Sequence, residues 1–190
     1  MSMKEIMKGH EKIKKNILIT GRPGVGKTIF ILKISEQLKG IKPAGFYTKE
    51  IREHGLRRGF ELLSFSGNKG LLSHVNIKSP YKVGKYKVDI KGFEIFLDSL
   101  ALGDNAAAIT IIDEIGKMEC FSPAFRKLIR GILDSENLFI ATISLKGNDF
   151  IAEIKRRDDV ELVLLKEDNR DILQLNLLEK INAFSKRQSM

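Results

Sequence analysis

Lys27 and Thr28 close the stretch GRPGVGKT, residues 21–28. Gly21, Arg22, Pro23, Gly24, Val25, Gly26, Lys27 and Thr28 fit the pattern G-x-x-x-x-G-K-[ST]. The chemistry follows from the residue types. A glycine-rich turn can aim several backbone N–H groups into one concavity, and the start of a helix adds partial positive charge to it. Such a concavity holds phosphate. A lysine at the seventh position reaches the β- and γ-phosphate oxygens, and the hydroxyl at the eighth ligates Mg²⁺. These eight residues are the expected phosphate-binding set, with Lys27 as a catalytic cation and Thr28 as a metal ligand.

A second chemical signal lies in ITIIDEIGKMECF, residues 109–121. An apolar, β-forming run leads to Asp113 at the carboxyl end of an expected strand, where open α/β sheets bind ligands. Asp113 is the expected partner of Thr28 around Mg²⁺. Glu114 follows at once, and a second carboxylate beside the metal carboxylate can orient and deprotonate an attacking water. An Asp-Glu pair alone would more often merely end a strand at the surface. Together with residues 21–28 it supplies the complementary half of one Mg–nucleoside-triphosphate site.

The elements that must position these residues can be read from periodicity. Ile17, Leu18 and Ile19 form the continuous apolar run of a buried parallel strand. The segment after Thr28 predicts a helix, apolar at Ile29, Phe30, Ile31, Leu32, Ile34 and Leu38 and ended by Lys39 and Gly40. Strands are expected at 45–48, 59–67, within LLSHVNI, and at 85–90, with EHGLRRG as a turn. Their close spacing predicts an antiparallel excursion over residues 45–90. A helix is expected at 92–102.

An α/β rhythm then returns. A strand ends at Asp113. The helix of SPAFRKLIRGILDS has Ser122 as N-cap and Pro123 at its first position. Further strands are expected at 137–144 and 160–165, a helix at 150–158, and a last helix in NRDILQLNLLEKINAF. This alternation predicts an α/β fold in three layers, a mainly parallel sheet with helices on both faces. Residues 1–190 are expected to form a single domain.

The quoted motifs carry a resemblance. GRPGVGKT, GFYTKEIR, RRGFELLSFSG, KYKVDI, IIDEIGKME-FS and KEDNRD occur in this order. The chain resembles the THEP-type, or cancer-related, P-loop nucleoside-triphosphatase family from about residue 16 to about residue 175. GFYTKEIR and DEIGKME are far more specific than the phosphate loop. The resemblance implies a P-loop NTPase fold and slow Mg²⁺-dependent hydrolysis of several nucleoside 5′-triphosphates to diphosphates, with low base selectivity. The chain departs from the family pattern at Ile29, where a second threonine is common, and at Cys120, where leucine is usual. Both departures bear on packing rather than chemistry.

Bulk properties bound the alternatives. The net charge is +9, with basic residues spread along the chain rather than interleaved with aromatics. That favours a basic protein with a polyanionic small-molecule substrate over a nucleic-acid module, so nucleic acid is the less favoured partner. The opening MSMKEIMKGHEKIKKN is charged and lacks a continuous apolar core, which argues against a secretory signal or membrane anchor. One cysteine, Cys120, forbids an internal disulfide and fits the cytoplasm. The expected partners are nucleoside triphosphates, with no membrane contact, and the expected state is a monomer.

Several residues keep two readings. His10, His54 and His74 share no metal-ligand spacing, and Cys120 reads as a small core residue. Lys117 and Glu119 belong either to the site edge or to the surface. Asn169 and Arg170 either touch base or ribose, or simply start the last helix. Arg57 and Arg58 either ring a solvated turn or supply an arginine to the γ-phosphoryl transition state. A small-molecule kinase and a nucleotide-regulated nucleic-acid module stand as rival functions. The kinase would need an acceptor pocket, for which residues 45–90 are the available segment.

Overall fold

The computed structural model describes residues 14–38, 40–100, 102 and 108–188. Nine strands among them form one sheet: β1 (Asn16–Thr20), β2 (Ala44–Glu53), β3 (Leu56–Ser64), β4 (Lys69–His74), β5 (Lys82–Val83), β6 (Tyr86–Val88), β7 (Ile109–Ile115), β8 (Leu138–Ile143) and β9 (Val160–Leu164). The strand order is β5-β6-β4-β3-β2-β7-β8-β1-β9. The pairs β2–β7, β7–β8, β8–β1 and β1–β9 are parallel, and the pairs from β2 out to β5 are antiparallel. The expected antiparallel excursion is therefore a continuation of the parallel sheet rather than a separate layer.

The helices are α1 (Lys27–Glu36), α2 (Ile90–Asp98), α3 (Pro123–Asp134), α4 (Asp149–Lys155) and α5 (Arg170–Gln188). They cover both faces. α1 and α5 bury Phe30, Ile31, Ile34, Leu177 and Ile181 against Ile17, Ile19, Ile111 and Ile140 of the sheet. α2, α3 and α4 bury Phe93, Phe96, Phe125, Ile129, Phe150 and Ile154 against Leu18, Phe46, Ile112 and Phe139 on the other face. Alternate residues of β1 and β7 thus feed opposite cores, and every residue of β1 is buried. Strands covered on both faces require the unbroken apolar runs seen in the sequence.

Phe46 of β2 stands beside Ile112, one residue before Asp113. Its ring meets Phe93 at 6.1 Å, Phe96 at 5.6 Å and Phe125 at 6.4 Å, each edge to face. Such pairs add about 0.5–1.5 kcal/mol each beyond area burial. The acidic strand end therefore rests on the most aromatic part of the core.

Several element bounds differ from the sequence expectation. β3 begins at Leu56, so Arg57 and Arg58 lie in a strand rather than in the expected turn. β6 ends at Val88 because Asp89 caps α2, its Oδ1 accepting from Gly92 N–H at 3.0 Å, so Ile90 is helical rather than extended. α1 ends at Glu36, before the expected stop; Lys39 lies outside the described residues, as do Ala101 and part of the run before β7. Ser122 does cap α3, accepting from Phe125 N–H at 3.0 Å.

Candidate active site

The loop between β1 and α1 holds the first set of expected residues. Gly24 has φ +80° and Gly26 φ +90°, left-handed values that exclude ordinary side chains without strain. Val25 N–H donates to Arg22 O at 3.2 Å, which closes the turn, and Phe30 N–H donates to Gly26 O at 2.9 Å, which starts the helix. Arg22, Pro23 and Gly24 are exposed, and the loop opens at the carboxyl edge of the sheet.

The acidic pair arrives from β7, two strands away, because β8 lies between β7 and β1. Thr28 Oγ1 donates to Asp113 Oδ2 at 2.7 Å. Lys27 Nζ lies 4.0 Å from Glu114 Oε2. Two consecutive residues of the loop thus face two consecutive residues of β7. The sequence separation is 85 residues for Thr28 and Asp113.

Consecutive residues of a regular strand point to opposite faces. Asp113 and Glu114 escape this through a register shift. Ile112 stands opposite Ala141 and Ile115 opposite Ile143, so β7 takes three steps where β8 takes two. Both carboxylates are held by hydroxyls from β8 and the residue after it. Thr142 Oγ1 donates to Asp113 Oδ1 at 2.5 Å, and Ser144 Oγ donates to Glu114 Oε1 at 2.5 Å. Lys155 of α4 in turn donates to Ser144 O at 2.6 Å and Leu145 O at 3.0 Å, pinning the segment that carries Ser144.

Sequence reasoning missed Thr142 and Ser144. They sit in the apolar run LFIATIS, where their hydroxyls gave no signal beyond being the polar residues of a buried strand.

Asp113 is 1 % exposed. Burial pushes its carboxyl above the ordinary range, and the hydrogen bonds from Thr142 and Thr28 pull it back down. The Thr28 hydroxyl and the Asp113 carboxylate offer two hard oxygen donors side by side, the kind Mg²⁺ prefers. A buried carboxylate disfavoured by desolvation gains from a cation next to it. The donor set therefore fits Mg²⁺.

Glu119 belongs to the site edge and Lys117 is exposed. A Cβ built on Gly116 would stand 2.7 Å from Glu119 Oε2 and 3.4 Å from both Glu114 Oε1 and Ser144 Oγ. These oxygens converge on the bare face of a glycine. Burial first, and the Glu114 charge second, push the Glu119 carboxyl up to about 8.

This has a consequence for stability. Below the ordinary value of 4.5 the folded and unfolded chains both hold the proton. As pH climbs from there towards about 8 the unfolded chain releases it first, and the folded state loses stability. Melting curves at about pH 5.5 and pH 8.5, without nucleotide or divalent metal, check this. Glu119→Gln should lose less melting temperature across that interval than the unaltered chain; an equal loss in both would contradict the assignment.

Other expected residues lie elsewhere. Arg57 donates to Tyr86 Oη at 2.9 Å and Glu50 Oε1 at 2.7 Å, with its guanidinium 5.3 Å from the centre of the Phe60 ring. Arg58 pairs with Glu53 at 3.0 Å and Asn76 at 3.2 Å. Both arginines are partnered within the antiparallel strands. Arg57→Ala should therefore lower the melting temperature by about 2–4 °C, the usual scale of ~1 kcal/mol in a chain this long. It should leave kcat within about threefold. A loss of roughly 10³ in kcat at unchanged stability would restore the transition-state role.

His74 faces Glu53 at 3.6 Å and His54 sits in the β2–β3 turn at φ +49°; His10 lies outside the described residues. Cys120 is buried, and burial pushes its thiol up to about 12, which keeps it un-nucleophilic. Asn169 holds the turn after β9, accepting from Lys166 N–H at 2.8 Å and donating to Leu164 O at 2.9 Å.

A glycine loop between a buried parallel strand and a helix, facing an acidic pair at the end of another parallel strand, defines a P-loop NTPase fold. The comparisons narrow the class. A family model described as NTPase matches residues 16–178. The nucleoside-triphosphatase THEP1 of Thermotoga maritima is 44% identical over 171 residues, spanning 90% of this chain and 97% of that protein. The cancer-related nucleoside-triphosphatase of Homo sapiens is 36% identical, spanning 90% of this chain and 99% of that protein. The crystal structure of THEP1 from Aquifex aeolicus superimposes with TM-score 0.76 at 36% identity, covering 86% of this chain and 97% of that one. The chain belongs to the THEP1-type nucleoside-triphosphatase family. Among the described residues no helix is long and apolar enough to cross a membrane.

Proposed function

We propose that the chain is a single-domain, Mg²⁺-dependent phosphohydrolase that converts nucleoside 5′-triphosphates to diphosphate and phosphate. ATP, GTP, CTP and UTP are all substrates, with little selectivity among bases. One observation supports this above the rest: Lys27 and Thr28 face Glu114 and Asp113 pairwise, at 4.0 Å and 2.7 Å.

In this reading residues 21–28 hold the polyphosphate through their backbone N–H groups, and Lys27 sets its charge against the β- and γ-oxygens. Thr28 and Asp113 would hold Mg²⁺, which neutralises charge on the β- and γ-phosphates when bound. Glu114 accepts a proton from water as its oxygen bonds to the γ-phosphorus. The bond from phosphorus to the β–γ bridging oxygen breaks, and the diphosphate leaves with that electron pair. Lys27 faces Glu114 at 4.0 Å; a triphosphate in the loop would offer it a more anionic partner and leave Oε2 for water. The contacts proposed here all fall on phosphate and metal, which supports weak base selectivity. The single cysteine fits a reducing cytoplasm, and a monomer is the proposed state.

Release of inorganic phosphate from purified protein given Mg–ATP or Mg–GTP and nothing else tests the reading. Chelating the divalent metal should bring release to background, because Thr28 and Asp113 make chemical sense as a pair around a cation. Label that moves from the γ-position to an added nucleoside rather than to water would instead make the chain a kinase.

A further inference from the structure

The turn after β9 touches the phosphate loop at two points. Leu165 N–H donates to Thr20 O at 2.8 Å, and Leu165 O lies 2.7 Å from where a Cβ on Gly21 would stand. Arg170, the first residue of α5, makes the second contact. Its Nη2 donates to Val25 O at 2.8 Å. The same nitrogen would be 3.4 Å from a Cβ on Gly26, so the guanidinium packs where that glycine has no side chain.

Arg170 is a poor device for stability alone. Its Nε is buried and has no hydrogen-bond partner among the described residues. Among the described residues no carboxylate pairs with it. Leaving a buried donor of a charged group unmade is destabilising. The bond it does make has a definite effect on the loop. The Val25–Gly26 peptide is trans, so its C=O and N–H point in opposite directions. Holding Val25 O against Arg170 aims Gly26 N–H away from Arg170, and the motif assigns the loop's N–H groups to phosphate. A cation on the carbonyl also polarises the peptide, which strengthens its N–H as a donor.

We propose that Arg170 is a positioning residue of the phosphate loop: it holds the Val25 carbonyl, presets Gly26 N–H as a phosphate donor, and so couples α5 to polyphosphate affinity. This rests on the proposed nucleotide site but not on the hydrolysis step. It also distinguishes Arg170 from a contact to the base, since a preset loop serves every nucleotide alike.

The test uses full-length protein with Arg170→Met, which keeps the aliphatic stem and removes the guanidinium. Affinities for ADP, ATP, GTP and CTP with Mg²⁺ are measured by calorimetric titration, beside kcat at saturating substrate. All four dissociation constants should rise by a common factor of roughly ten, the low end for one charge-assisted hydrogen bond. The kcat should stay within about threefold. Low millimolar guanidinium should recover part of the affinity, and equal urea should not. Arg170→Lys, which keeps the charge without the fork, should fall between the two, and it carries the test if the Met variant melts early.

Unchanged affinities overturn the proposal. Losses that differ among bases overturn it in favour of a base contact, and a fall in kcat at constant affinity overturns it in favour of a transition-state arginine. Unaltered protein that binds nucleotide but releases no phosphate would sink the hydrolase reading alone and leave this binding test standing.

Discussion

Lys27→Ala takes phosphate release to background and weakens triphosphate binding. The expected loss in kcat is about 10³ or more, the upper end for removing one electrostatic donor from a phosphoryl-transfer or acyl-transfer site. The side chain is 10 % exposed, so its ammonium acts with little solvent screening. It is also the cation that faces Glu114 at 4.0 Å. The variant therefore loses the charge set against the γ-phosphate and leaves Glu114 unopposed beside an incoming polyanion. The fold should survive, because the helix beyond Lys27 is anchored by Phe30, Ile31 and Ile34, all buried. Steady-state phosphate release and nucleotide titration on a variant with an unchanged melting curve decide the matter. Near-normal turnover would sink the assignment of residues 21–28 as the phosphate loop.

Glu114→Gln separates binding from chemistry. The amide keeps the shape of the side chain, and its oxygen can still accept from Ser144, as Oε1 does at 2.5 Å. What it lacks is a basic oxygen for the proton of water. The expected outcome is nucleotide affinity within a few-fold of the unaltered chain and a rate loss of about 10² or more, the scale of a positioned acid–base group. An unchanged rate would pass the role to Glu119, whose Oε2 meets the same bare face of Gly116 as Glu114 Oε1.

These two predictions were legible from the sequence because both motifs are local. The phosphate loop needs only its own glycines, and the acidic pair needs only the apolar run before it. The alternation of apolar runs and helical periods likewise made the three layers readable. What was hidden is what depends on neighbours far away in the chain. Thr142 and Ser144 become site residues because β8 lies next to β7 and a register shift turns both carboxylates towards it. No property of LFIATIS announces that. Arg57 and Arg58 look like a charged turn until Glu50, Glu53 and Tyr86 are set beside them by pairing across strands. Glu119 stayed open between site edge and surface, since burial of a single carboxylate has no local signature. Arg170 kept two readings, a base or ribose contact or the start of a helix, because its partner Val25 is 145 residues away.

The position of β8 has a further meaning for anyone who would rebuild this scaffold. Thr142 and Ser144 are two residues apart, so one extended segment sets the spacing of the two carboxylates it holds. A single-residue insertion within residues 138–141 would offer Ala141 and Ile143 in their place, because side chains alternate along a strand. Both carboxylates would lose their hydroxyls together. On the proposed mechanism the metal end and the water end are thus one component, not two modules that can be exchanged separately. Metal preference could not then be redesigned by resetting that strand without also disturbing Glu114.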